Sequence, residues 1–276
     1  MTRLFIVEGP PCAGKSRTAA HIAERLKRLR AFREVVCVDE GTGAHPADYE
    51  FCAYVTGEEL AAFPPGLREM VRSMAQAHMN GYIVPLQRLG GAALDRLLPY
   101  KIYDSLPWER EMPLMLEKWQ SFVKNTEDHT AYVFNCVLLQ NPMCETMMRF
   151  NFPPERSLEY ISQIVKLTAP LEPAVVYLRN DEIGKTVEAV SAERPGWLEA
   201  VINYHVSGAY GRSIRAKGFK GYVSCVEERQ RRELDILEKL PVRRLVIGNA
   251  HKDWAGAYQR IDEFLGLARP GVLSGR

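Results

Sequence analysis

Residues 3–8 form an apolar run that breaks into Gly9-Pro10-Pro11-Cys12-Ala13-Gly14-Lys15-Ser16, matching G-x-x-x-x-G-K-[ST] at every fixed position. Beyond the break, Ala19, Ile22, Leu26 and Leu29 recur at helical spacing, with Arg25, Lys27, Arg28 and Arg30 on other faces. A second apolar run, Val35-Val36-Cys37-Val38, follows at once. The order is strand, loop, helix, strand. Such a crossover closes on a parallel sheet with helices outside it, so this one stretch predicts an α/β chain.

The same stretch carries chemistry. Glycines let the backbone turn sharply, so that successive N–H groups face phosphate oxygens. The helix that follows adds its positive N-terminal end. Lys15 supplies a point charge for the β and γ phosphates, and the Ser16 hydroxyl can ligate Mg²⁺. Gly9, Pro10, Pro11, Cys12, Ala13, Gly14, Lys15, Ser16 and Arg17 are therefore the expected nucleotide-binding residues, with ATP and Mg²⁺ the expected cofactors. The bland alternative is a chance match within a strand, a turn and a helix.

Further along, residues 41–57 begin as a loop, and 58–123 read as mostly helical and irregular, broken at 63–66 and 89–91. Tyr82-Ile83-Val84 fits a short strand or a turn between helices. The strands expected next are 131–140, 174–178 and 243–248. A long charged helical region, 181–240, separates the last two, and Trp254, Tyr258, Ile261 and Leu265 mark one face of a closing helix. This organisation predicts a single domain over 1–276, with a helical insertion at about 45–130 and a lid at about 190–225.

Composition narrows the function classes. The 276 residues are 46% hydrophobic and 25% charged with a net charge of +2, which argues against a dedicated nucleic-acid binder. No apolar run reaches the ~18 residues of a membrane span, and the first residues lack the features of a signal peptide. Cys12, Cys37, Cys52, Cys136, Cys144 and Cys225 are scattered without a C-x-x-C pair, so a cytoplasmic protein with reduced thiols is expected.

Four stretches resemble one superfamily. "IVEGPPCAGKS" resembles the opening of nucleotide and nucleoside kinases, and "VVCVDEGTGAHPAD" the second strand and following loop of thymidylate kinases. "AVVYLRNDEIGKTVEAV" is similar to their fourth strand and the helix that leads to an arginine-bearing lid. "RRLVIGNAHKDWAGAYQRIDEFL" is similar to their last strand and closing helix. Residues 50–130 have no counterpart. The resemblance implies a three-layer P-loop fold and an ATP- and Mg²⁺-dependent phosphotransferase. It places Glu40, with Asp39 beside it, against the acceptor hydroxyl. One departure stands out. Many of these kinases carry Asp-Arg at the end of the third strand, whereas this chain reads "FNCVLLQNP", with Asn135 and Gln140 and no acid. Asp39 or Glu40 would then serve the metal, Asp39 being the expected metal-side acid beside Ser16.

A phosphotransferase also needs cations near the moving phosphate. Arg194, and Arg212 and Arg215 in "GAYGRSIRAKGFKGY", are the candidates, the interleaved glycines being expected as hinges of a lid. A solvated basic face is the alternative. Acceptor contacts are expected from the insertion, which is rich in aromatics and polar groups (His45, Asp48, Tyr49, Tyr103, Asp104, Trp108), and from Gln140, Asn141 and Glu145. Met143, Met147 and Met148 read as core. The expected partner is a small-molecule phosphate acceptor, nucleotide-like or an antibiotic or sugar, with a homodimer left open. The competing reading is a P-loop ATPase or switch without transfer to an acceptor; "VVCVDE" also fits the metal strand of such ATPases. The absence of an Asn-Lys-x-Asp guanine motif argues against a GTP switch.

Overall fold

A computed structural model describes residues 1–41, 45–191 and 196–268. These divide into two compact units, the first formed by 1–40 with 123–276 and the second by 41–122.

The first unit opens with β1 (Leu4–Glu8), α1 (Lys15–Leu29) and β2 (Glu34–Val38). The second unit follows, with β3 (Cys52–Thr56), α2 (Gly57–Ala61), α3 (Pro65–Met74), β4 (Gln76–His78), β5 (Gly81–Pro85), α4 (Gly91–Leu97) and α5 (Trp108–Lys124), which runs to its boundary. The first unit then resumes with β6 (Thr130–Asn135), α6 (Gln140–Met143), a π-helical stretch (Cys144–Arg149), α7 (Pro154–Thr168), β7 (Ala174–Arg179) and α8 (Ile183–Ser191). It closes with α9 (Trp197–Ser207), α10 (Ala209–Ser213), α11 (Gly218–Lys239), β8 (Arg243–Gly248) and α12 (Trp254–Leu265).

Among the described residues, five strands of the first unit pair in the order β2-β6-β1-β7-β8, every pair parallel. Phe5, Val7, Val133, Val176 and Leu178 point to one face, where Ala19, Ile22 and Leu26 of α1 and Ala257 and Ile261 of α12 bury them. Alternate residues face the other way, and there Tyr177 of β7 meets Glu233 of α11. The result is the expected α/β architecture, a parallel sheet flanked by helices. The central strands are continuously apolar because both faces are covered. β2 is an edge strand, and its side chains are only half-buried or exposed.

Two expectations change. The run 131–140 is a strand only to Asn135, because Cys136 turns the chain with φ +68° and its N–H bonds Val7 O. The stretch expected as a helical insertion carries an antiparallel sheet as well as helices, in the order β3-β5-β4. Tyr82-Ile83-Val84 is the middle of β5, beside β3. Gly81 begins that strand because a β-carbon there would lie 2.3 Å from Val55 O. Val55, Val71, Val84, Leu86 and Leu97 form this unit's own core. Among the described residues no helix is long and apolar enough to cross a membrane.

Candidate functional site

The candidate site lies beyond the carboxyl ends of β1, β2 and β6, where open α/β sheets hold their ligands. Residues 9–14 turn from β1 into α1. Gly9 has φ +146°, and a β-carbon on it would stand 2.5 Å from Leu178 O, so only glycine lets the loop pass this close to β7. Gly14 has φ +89° and precedes α1; a β-carbon there would meet the Trp254 indole at 2.3 Å. With glycine at that position no side chain caps α1, and its first N–H groups face outward for an anion. The Ala13 N–H bonds Pro10 O, and Lys15, only 9% exposed, folds its ammonium back onto the same carbonyl at 2.9 Å. Ser16 and Arg17 are exposed at the mouth, Arg17 lying over the Trp254 ring. Pro10, Pro11 and Cys12 complete the loop. Cys12 packs against Ile183, Val187, Tyr222 and Val226, so α8 and α11 buttress the phosphate loop from one side.

The sheet register sets the rest. Val38 pairs with Phe134, and Val7 pairs with Asn135. Asn135 therefore stands between the end of β1 and the residue that follows β2, Asp39. Its side chain is 1% exposed and fully engaged. Its Nδ2 donates to Ser16 Oγ and to Asp39 Oδ1, each at 3.1 Å, and its Oδ1 accepts the Glu40 N–H at 3.0 Å. Gln140 Nε2 donates to Glu40 Oε1 at 3.1 Å. Two amides on the β6 side thus hold the two exposed acids that follow β2.

Glu8, which does not stand out in the sequence, anchors this arrangement from below. It is fully buried as the last residue of β1, just before the phosphate loop. Its Oε1 accepts the N–H groups of Leu138 and Leu139 at 2.8 and 3.0 Å, and its Oε2 accepts that of Gln140 at 3.1 Å. Burial, followed by the charge of Glu233, pushes its carboxyl up to about 7 against the pull of those three N–H groups. Glu233 itself receives the Tyr177 hydroxyl at 2.6 Å and pairs with Arg229 at 3.1 Å, all inside the first unit. The one signal in the sequence is an acid closing an otherwise apolar strand, "LFIVE".

The expected lid residues fall apart into three cases. Arg194 lies outside the described residues. Arg212 is exposed and donates to Ser207 O. Arg215 is exposed at a turn with φ +55°. The structure gives neither of them a contact with the phosphate loop. Three of the glycines around them are packing glycines rather than hinges. β-Carbons on Gly208, Gly211 and Gly221 would meet Met148 O at 2.4 Å, His205 O at 2.4 Å and Ala216 C at 2.8 Å; Gly218, with φ +55°, is open. Met143, Met147 and Met148 are buried core.

Within the second unit the expected acceptor residues do gather. Tyr103 donates its hydroxyl to Asp48, Lys118 lies 4.7 Å from the Tyr49 ring centre, and His45 accepts the Ala47 N–H at 3.1 Å. Burial, aided by Lys118, holds the His45 imidazole down at about 4, so it is neutral near pH 7. Asp104 pairs with Lys101, and Trp108 is buried at the start of α5.

The donor set fits a nucleotide with a divalent cation. A tight loop that only glycine allows at both ends, an uncapped helix start and a buried lysine suit phosphates. Ser16 Oγ and Asp39 offer hard oxygens, which Mg²⁺ prefers. Among the described residues no three His, Cys, Asp or Glu side chains converge as a metal cluster. Such a cation would complete its shell with phosphate oxygens and water, as Mg²⁺ usually does.

No protein-family model matches the sequence, and a search of curated proteins finds no match. Among solved structures, the chain is similar to a thymidylate kinase from Ehrlichia chaffeensis, at 11% identity and a TM-score of 0.43, over 96% of this chain and 98% of that one. It is also similar to the YorR protein of Bacillus subtilis, solved in complex with phosphorylated GDP, at 13% identity and a TM-score of 0.39, over 96% of each chain. At these values the likenesses add nothing to the reading of the site, which stands on its own geometry.

Proposed function

We propose that the chain is an ATP- and Mg²⁺-dependent phosphotransferase acting on a hydroxyl or phosphate oxygen of a small molecule. The observation that carries this reading is the Asn135 amide, which gathers Ser16, Asp39 and Glu40 beside Lys15 at the mouth of the phosphate loop. An acid on the metal side would serve an ATPase as well; the second acid, Glu40, which Gln140 holds apart from Asp39, is the group left over for an acceptor.

In this reading the loop from Gly9 to Arg17 binds the triphosphate. Lys15 leaves Pro10 O to neutralise charge on the migrating group. Ser16 and Asp39 would hold Mg²⁺, which when bound offsets the charge of the phosphates. Glu40 orients the acceptor oxygen and takes its proton as the new O–P bond forms and the bond from the γ phosphorus to the bridging oxygen breaks, releasing ADP. Gln140 fixes Glu40 for that task. Arg212 and Arg215, with Arg194, are the cations proposed to cover the transferring phosphate.

The test is ADP release from MgATP against nucleosides, nucleotides, sugars and aminoglycoside-type compounds, with Lys15→Ala alongside. The expected result is strong stimulation by one acceptor class, falling by about a hundredfold or more in the variant. Slow turnover that ignores every acceptor would replace this reading with that of an ATPase or switch.

A further inference from the structure

We propose that the metal-side carboxylate of this site is Asp39 at the end of β2, and that Asn135 is the positioning residue that holds it against Ser16. The inference rests on the phosphotransferase reading above and goes further: it makes residues 39 and 135 a matched pair in which one is an acid and the other an amide.

The geometry couples an amide at 135 to an acid at 39. Asn135 Nδ2 has two hydrogens and spends one on Ser16 Oγ and one on Asp39 Oδ1. Its Oδ1 takes the Glu40 N–H. Every polar atom of this buried amide is satisfied, and Ser16 and Asp39 are tied to one point although they come from α1 and the end of β2. A carboxylate at 135 has no hydrogen to give. The Ser16 hydroxyl could turn to donate to it, but its other oxygen would stand against a second carboxylate at about the same 3.1 Å separation. Like charges so close oppose each other strongly, the more so beside a buried strand end. An acid at 135 therefore calls for a neutral residue at 39, and the acid at 39 calls for the amide at 135. Parallel register makes the two positions interchangeable in space, because Val38 lies opposite Phe134 and each chain then advances one residue. Glu40 is not the partner in this exchange, since its side chain is held away by Gln140.

The experiment measures affinity for a fluorescent ATP analogue with and without Mg²⁺, so it does not depend on turnover. The proteins are wild type, D39N, D39E, E40Q and the exchange D39N/N135D, each checked by thermal melting. Mg²⁺ should tighten binding by about tenfold or more in wild type, as a hard cation shared between a carboxylate and phosphates would. D39N should lose most of that enhancement. D39E and E40Q should keep it, and the exchange should restore it to within about threefold of wild type. Each protein's own metal-free affinity is the baseline, so the enhancement is read as a ratio; a merely structural role for Asn135 does not predict its return in the exchanged pair. Full enhancement in D39N, its loss in E40Q instead, or an exchange that folds without restoring it would each overturn the proposal. Should the exchange fail to fold, the contrast between D39N and D39E decides it. A wild-type protein that binds no nucleotide at all would remove the phosphotransferase reading itself.

Discussion

Replacing Glu8 with Gln should flatten the dependence of stability on pH between about 4.5 and 7. Glu8 is wholly buried, and its carboxyl is raised from 4.5 to about 7, first by burial and then by the charge of Glu233. A raised acid binds its proton more tightly folded than unfolded. The stability this contributes is therefore complete below pH 4.5, declines as the unfolded chain ionises, and is gone once pH passes the folded value near 7. Each tenfold difference in proton affinity between the two states is worth about 1.4 kcal/mol. The raised carboxyl thus makes wild type roughly 3 kcal/mol more stable at pH 4.5 than at pH 7.5 through this group alone.

The amide introduced by E8Q cannot titrate, so the difference between the two proteins isolates the effect. The substitution carries its own constant cost. Glu8 accepts three backbone N–H groups; an amide oxygen in its place can serve Leu138 and Leu139, but the amide NH₂ then faces the Gln140 N–H. An unmet buried donor costs about 1–3 kcal/mol. Urea melts at half-unit steps from pH 4.5 to 8 give both numbers. The expected result is a gap between wild type and E8Q that is widest at pH 4.5 and narrows by about 3 kcal/mol by pH 7.5. A gap of constant size across that range would show that Glu8 is ionised throughout, its three N–H partners outweighing its burial, and would refute the reasoning.

Two further outcomes follow from the same unit. Gly14→Ala forces a side chain onto φ +89° and into the Trp254 ring; it should cost about 1–3 kcal/mol in thermal unfolding and abolish binding of a fluorescent nucleotide. Arg229→Met strands Glu233 without its counter-charge in the interior and should cost about 3–5 kcal/mol, whereas the double change Arg229→Met with Glu233→Leu should cost clearly less, measured by urea denaturation of both.

How far the sequence discloses this molecule depends on whether a feature is local. The phosphate loop is contained in eight residues, so its pattern, its glycines and its helix can all be read directly. The parallel strands themselves are nearly as accessible, since β1, β6 and β7 are apolar almost throughout. β2 shows the limit of that signal: the same kind of run lies at a sheet edge, half in solvent. The second unit is harder, because its strands are three to five residues long and a short apolar run does not separate strand from buried helix. The glycines at 208, 211 and 221 mislead for a related reason. A glycine signals either freedom or crowding, and only the neighbouring chain says which; here Met148, His205 and Ala216 press against them.

Asn135 and Glu8 mark the boundary more sharply. The sequence shows that the strand expected to carry an acid ends in an amide instead. Taken alone, that is a missing ligand. What gives it meaning is one fact of register, that the residue after Val38 stands beside the residue after Phe134. With that fact, Asn135 and Asp39, which the sequence already offers for the metal side, stand beside each other and are joined by the amide. Glu8 works the same way. Its partners lie more than a hundred residues away on the turn after β6, and that turn carries Gln140, which holds Glu40. The acid at the end of β1, the amides at and after the end of β6 and the acids after β2 thus form one connected support for the mouth of the phosphate loop. Each residue is visible in the sequence as a single letter, but the connection exists only across paired strands. Substitutions at Glu8 and Gln140 should accordingly be felt at Glu40, which neither neighbours in sequence.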